Sequence, residues 1–174
     1  MENNDKSRIC VGHTKYGNII SGRLAPGEEN SGKMVNELRQ LSRDIADRQH
    51  RDIIVLDGPP GIGCAVISTI IGVDKIIVVT EPSISGFLDL KRVVKLLHHY
   101  DIPIFVIINK YTLNEETTSS IIHWCEIEHI SVIATLPFLE EMVKSIVGGQ
   151  TIFEYNPNSV VSEKLKVALS LIVN

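Results

Sequence analysis

The sequence predicts an α/β protein with a three-layer, mostly parallel, doubly wound sheet, preceded by a β-hairpin. Three observations carry this. Residues 53–56, 75–79, 104–108 and 131–135 are short runs dense in Ile and Val, continuously apolar as in strands covered on both faces. Stretches with helical spacing separate them, the alternation that winds a parallel sheet. Ahead of them, two β-prone runs flank Lys15-Tyr16-Gly17, which reads as a hairpin with the glycine at its turn.

Taken in order, residues 1–8 are polar and read as a flexible arm. Hairpin strands follow at 9–14 and 18–24, ended by Pro26-Gly27. A helix then starts near Ser31, a suitable N-cap, and runs to about His50, with Met34, Leu38, Leu41 and Ile45 on one face. Helices are expected at 65–71, 85–100 and 115–129, the second lined by Phe87, Leu90, Val94 and Leu97. The last helix covers about 159–173, with Val161, Leu165, Ala168 and Ile172 in register. No repeat or second-domain boundary is visible, so residues 9–174 read as one domain.

Composition narrows the function. The 174 residues suffice for a real core. The chain is 44% hydrophobic and 22% charged, as in ordinary globular proteins. A net charge of −4 and 5% aromatic residues argue against a basic or base-stacking nucleic-acid face. Cys10, Cys64 and Cys125 are scattered, so neither a disulfide framework nor an iron–sulfur cluster is expected on this chain. The N-terminus has no signal-peptide core and no apolar run is long enough to span a bilayer; the expected location is the cytoplasm. The final helix carries only Lys164 and Lys166 as cations, a poor match to a membrane-surface helix.

In open parallel sheets, ligands bind beyond the carboxyl ends of the strands. Run 53–56 is followed by Asp57-Gly58-Pro59-Pro60-Gly61-Ile62-Gly63. An aspartate ending a buried strand needs a partner, and the glycines let the backbone approach a phosphate. The loop reads as a metal-linked carboxylate followed by a switch, or as a capped turn before the next helix. Thr80-Glu81-Pro82-Ser83 follows the second run, Asn109-Lys110 the third, and Leu136-Pro137-Phe138 the fourth. Asn109 suits a purine edge, and the aliphatic stem of Lys110 suits covering a base. A plain turn is the alternative in each case. His98, His99, His123 and His129 fall on predicted helices and read as solvated or core residues.

The order IIVLDGPPGIGC, IIVVTEPSISGFLDLKRV, FVIINK and ATLPF resembles the MinD/ParA superfamily of P-loop ATPases. With GRLAPGEENSGKMVNELR it resembles, more narrowly, the branch that carries an inserted ferredoxin domain. The likeness begins near Ile9 and covers the C-terminal half of the family pattern. It implies that Asp57 is the catalytic, Mg²⁺-linked Walker B residue, holding the ion through water. It implies that Gly58, Pro59 and Gly61 belong to the switch loop, and that Asn109, Lys110 and Pro137 border the adenine. Ala65 stands where that branch usually has proline.

The family's glycine- and lysine-rich phosphate loop has no counterpart in context. Gly27-Glu28-Glu29-Asn30-Ser31-Gly32-Lys33-Met34 matches the GxxxxGK spacing, then places Met34 where a hydroxyl would meet Mg²⁺. In the resembling family the phosphate-loop strand lies between the Walker B strand and the strand ending in Thr-Glu-Pro. Its loss leaves two buried-type strands to close up, to be compensated by the hairpin, or to receive a strand from a second chain.

The resemblance implies an ATP·Mg²⁺-binding module of an iron–sulfur-linked switch, incomplete without a phosphate-loop segment. Its implied partners are a second copy, a chain carrying the missing half, or a ferredoxin-like protein. The rival is a non-catalytic protein that docks such a chain. A cobyrinate-type synthetase would need a substrate domain that this length does not provide.

Overall fold

A computed structural model describes residues 7–25, 27 and 31–173. The flexible-arm expectation for 1–8 therefore falls almost wholly outside the described residues, as does Pro26. The chain divides into two compact units, 1–73 and 74–174.

The first unit opens with strands β1 (Arg8–His13) and β2 (Asn18–Arg23), paired antiparallel from Arg8↔Arg23 to His13↔Asn18. Thr14 closes the turn: its N–H and hydroxyl both donate to the Gly17 carbonyl at 2.8 Å. Helix α1 (Ser31–Arg48) packs on β2. Gly22 makes that possible, because a Cβ there would sit 2.6 Å from Met34 Sδ. Ser31 is the first helical residue rather than the residue before the helix. Helix α2 (Cys64–Ile70) lies against α1. The expected apolar stripe of α1 is only half-buried, whereas Arg39 and Ala46 are buried.

One expectation fails here. Residues 53–56 form no strand, and Ile53, Ile54 and Val55 are exposed, Val55 at 87%. A run dense in Ile and Val is only a strand once a neighbour supplies a ladder. Among the described residues the two sheets contain β1–β2 and the three strands of the second unit, and neither includes this segment.

The second unit is the parallel sheet with its helices. Strands β3 (Ile76–Thr80), β4 (Ile104–Ile108) and β5 (Ser131–Thr135) lie in the order β3-β4-β5, all parallel. Helices α3 (Ile84–Leu97) and α4 (Glu115–Ile127) cover one face. There Leu90, Val94, Ile121 and Cys125 meet Val106, Ile108 and Ile130, with Val78 packed alongside. Helices α5 (Glu140–Val147), α6 (Ile152–Tyr155) and α7 (Val160–Val173) follow β5. On the second face Ile107 and Ala134 meet Leu136, Ile152, Val161 and Ala168. Val106 and Ile108 thus point one way and Ile107 the other, the period-two alternation of a strand covered twice. A bulge at Ile133 of β5 brings Ala134 level with Ile107.

Candidate functional site at the carboxyl ends of the strands

Three of the expected base-site residues meet in the second unit. The Asn109 N–H, just past β4, donates to the Thr80 carbonyl at 2.7 Å, and the Leu136 N–H, just past β5, donates to the Ile108 carbonyl at 2.8 Å. These bonds extend the ladders beyond the strands and hold the three loops side by side. The Tyr111 N–H then reaches the Leu136 carbonyl at 2.9 Å. The Phe138 N–H is fixed by Thr112 Oγ1 at 3.0 Å. Asn109, Lys110 and Pro137 therefore share one ledge at the carboxyl edge of the sheet.

The side chains on this ledge have defined roles. Asn109 Oδ1 accepts the Lys110 N–H at 3.0 Å. Its amide nitrogen has no bond among the described residues, so two donors remain for an acceptor outside the chain. Lys110 takes a left-handed backbone, φ 56°, uncommon for a residue with a Cβ. That turn sends its ammonium to Glu81 Oε2, 3.1 Å away, across the ends of β3 and β4. Both partners are about half exposed, so the pair fixes direction more than it stabilises, contributing at most about 1 kcal/mol. Pro137 is half-buried and Phe138 half-exposed. Phe138, in the loop after β5, presents an exposed aromatic surface. Lys164 closes the outer side, 5.9 Å above the Tyr111 ring and 3.4 Å from Thr135 Oγ1.

Beneath the ledge the start of α3 is tightly built. Ser83 caps the helix by accepting the Gly86 N–H at 3.0 Å. Thr80, buried, donates to the Gly86 carbonyl at 3.0 Å. A Cβ at Gly86 would stand 2.5 Å from the Glu81 carbonyl oxygen. Only glycine permits this approach, and the loop after β3 is set by it. The Ser85-Gly86 pair is therefore explained by packing within the loop.

The remaining expected residues belong to the first unit. Asp57 is exposed and ends no strand, so the burial cost that singled it out in the sequence does not arise. Gly58, Pro59 and Gly61 form an exposed loop leading into α2, with Gly61 at φ 94°. Nothing lies within 4 Å of a Cβ built at Gly61, so its backbone angle alone calls for glycine. The described C-terminal end of the GxxxxGK near-match is used for packing. A Cβ at Gly32 would come within 3.0 Å of Ser68 Oγ, so this glycine lets α1 lie on α2, and Met34 packs on Gly22. Lys33 is exposed and faces Glu37 at 3.9 Å. Glu28, Glu29 and Asn30 lie outside the described residues.

Sequence reasoning missed Arg39. This buried guanidinium donates to the Ser68 carbonyl at 2.6 Å and to the Ile71 carbonyl, and so caps the end of α2. Burial, then the nearby Arg43, lowers its pKa. Its position one residue after Leu38 on an amphipathic helix was the available signal. Also missed was Glu141, whose carboxylate accepts from Asn156 Nδ2 at 3.0 Å and from Ser159 Oγ. These bonds, that from Ser159 first, hold its pKa below the usual carboxylate value. Among the described residues no group of three His, Cys, Asp or Glu side chains is arranged to hold a metal. No described helix is long and apolar enough to cross a membrane.

Comparison with known proteins agrees with this architecture. A family model described as ParA, NUBPL iron-transfer P-loop NTPase, matches residues 30–173. The Methanocaldococcus jannaschii protein MJ0578 is 30% identical over 148 residues, covering 85% of this chain and 48% of that protein. Thermotoga maritima septum site-determining protein MinD is 25% identical over 75% of this chain and 49% of its own length. Among solved structures, Aquifex aeolicus MinD superposes with a TM-score of 0.67 at 21% identity, over 94% of this chain and 68% of its own. Pyrococcus horikoshii MinD, solved with Mg-ADP, gives 0.62 at 20% identity, over 80% of this chain and 56% of its own. The chain spans about half the length of the curated relatives it matches. By the extent of the family match and by its fold, the chain belongs to the ParA family of NUBPL-type iron-transfer P-loop NTPases.

Proposed function

We propose that this chain is the base-binding half of a nucleotide-dependent switch in an iron-transfer system. The observation that carries the reading is the ledge of Asn109, Lys110 and Pro137, with the Asn109 amide donors unengaged among the described residues. With Oδ1 already occupied, Asn109 would donate to a ring nitrogen on the acceptor edge of adenine. The Lys110 stem and the faces of Pro137 and Phe138 would cover the base. Pyrococcus horikoshii MinD, which shares the fold, was solved with Mg-ADP.

The donor set fits Mg²⁺ in part. An exposed carboxylate such as Asp57 suits a hard cation that keeps most of its water. Asp57 would be the metal-linked residue, and Gly58, Pro59 and Gly61 the loop that answers to nucleotide state. The phosphates need a cradle of backbone N–H groups and a lysine. Of the GxxxxGK near-match, Gly32 and Met34 are used for packing, and Glu28, Glu29 and Asn30 lie outside the described residues. Catalysis by the chain alone is therefore not part of the proposal. The iron–sulfur link rests on the iron-transfer description of the family, with iron as cargo. A homodimer or an association with a chain bearing the missing segment would complete the phosphate site; the Aquifex aeolicus relative was solved as a MinC:MinD complex.

Titration calorimetry of ATP with Mg²⁺ against the full chain tests this. Binding is expected in the millimolar to high-micromolar range. Asn109→Ala should weaken it about tenfold, one buried hydrogen bond's worth. Asp57→Ala should remove its Mg²⁺ dependence. Absence of binding at millimolar nucleotide, or binding indifferent to Asn109→Ala, would reject the base site and leave the docking role.

A further inference from the structure

The hydrogen bonds of the ledge leave it rich in donors and poor in acceptors. Asn109 Oδ1 already accepts the Lys110 N–H at 3.0 Å, and Thr112 Oγ1 accepts the Phe138 N–H at 3.0 Å. The Lys110 carbonyl accepts the Leu113 N–H at 3.0 Å, and the Leu136 carbonyl accepts the Tyr111 N–H at 2.9 Å. Glu81 is held by the Lys110 ammonium at 3.1 Å. Against these spent oxygens stand open donors. Both protons of the Asn109 amide are unengaged among the described residues. The Lys110 ammonium carries three donors and uses one on Glu81.

This balance bears on which purine the ledge selects. Along its N7 edge adenine presents an acceptor at N7 and a donor at the 6-amino group, whereas guanine presents acceptors at both N7 and O6. An asparagine whose oxygen and nitrogen are both open reads adenine there as a matched pair. The oxygen of Asn109 is committed to Lys110. Its amide can donate to N7 of either base, and position 6 then decides. The amine of adenine would meet further donors, and a polar group covered without a partner is costly. The O6 of guanine would meet the second Asn109 proton or the Lys110 ammonium, either of which it can accept.

We infer that the base site selects guanine over adenine, reading N7 through the Asn109 amide and O6 through the donors that remain. The inference rests on the base-site reading above and names the ligand of that site as a guanine nucleotide. The choice is made at position 6, so the 2-amino group of guanine plays no part in it.

The full chain is titrated calorimetrically with GTP, ATP, ITP and 7-deaza-GTP at one Mg²⁺ concentration. GTP should bind about tenfold more tightly than ATP, the worth of one matched hydrogen bond. ITP, which keeps O6 and N7 and lacks the 2-amino group, should bind like GTP. 7-deaza-GTP, with carbon in place of N7, should bind about tenfold more weakly than GTP, and Asn109→Ala should erase that difference. The comparison of nucleotides needs no variant, so a folding defect in Asn109→Ala does not decide the outcome. ATP that binds as tightly as GTP overturns the inference, as does ITP that binds like ATP, or equal affinity for GTP and 7-deaza-GTP. If ATP binding depends on Asn109 and GTP binds no better than ATP, the base site stands and its selection of guanine alone fails. If neither nucleotide binds at millimolar concentration, or both ignore Asn109→Ala, the base site itself fails and the inference falls with it.

Discussion

Cys125 shows how one buried atom sets a chemical property. Its side chain is fully enclosed between α4 and β4. Burial, then the charge of Glu128, pushes its thiol from 9.0 up to about 11. A raised folded value means stability that is present below the unfolded value and lost as pH rises. Between about 9 and 11 the unfolded thiol ionises while the folded one stays protonated, so unfolding gains. Denaturant midpoints of wild type and Cys125→Ala should therefore converge as pH goes from 8 to 10.5. At pH 8 an alkylating reagent should reach Cys10 and Cys64, which are exposed, and spare Cys125 until the chain unfolds. Labelling of all three at one rate would contradict the enclosed position. The sequence showed three scattered thiols; which one was enclosed depended on the packing of α4, a tertiary fact.

At the scale of elements, what the sequence revealed follows from how local each cause is. The strand at 104–108 and its neighbours, and the Leu90, Val94 and Leu97 face of α3, were legible because an apolar period reports its own burial. Helix α5 was not: Leu139 at its N-cap offers no side-chain acceptor, so its start carries no signal. The candidate site was legible as loops after strands, but the free donors of Asn109 depend on Lys110 turning left-handed, which no motif announces. Residues 53–56 had the composition of a strand without the neighbour that makes one. Helix α2 owes its end to Arg39 of another helix, and this gives a prediction. Arg39→Ala removes two charge-assisted bonds to the Ser68 and Ile71 carbonyls, and should cost about 2–3 kcal/mol. Arg39→Lys should recover less than half of this, because a single ammonium cannot span both carbonyls as the fork does. Equal stability of Arg39→Ala and wild type in urea unfolding would show that the cap is dispensable.

Across the whole molecule, stability is concentrated in the second unit. Val106, Ile108, Ile121 and Val161 are wholly enclosed there, and β4 has a ladder partner on both sides. The first unit encloses far less: among its described residues Ala46, Val66 and Ile70 are the buried apolar side chains. Amides open at a free energy set by the local packing they must disrupt. Hydrogen exchange on the chain alone should therefore rank Val106 and Ile108 slowest, at the global unfolding limit. The β1–β2 hairpin amides should exchange faster, and those of 53–56 near the rate of an unstructured peptide, since no ladder holds them. Thermal unfolding followed by Trp124 fluorescence, which reports the second unit, should then lag loss of the hairpin. If instead 53–56 were as protected as β4, a ladder would hold the segment, and protection would not follow the enclosure of side chains.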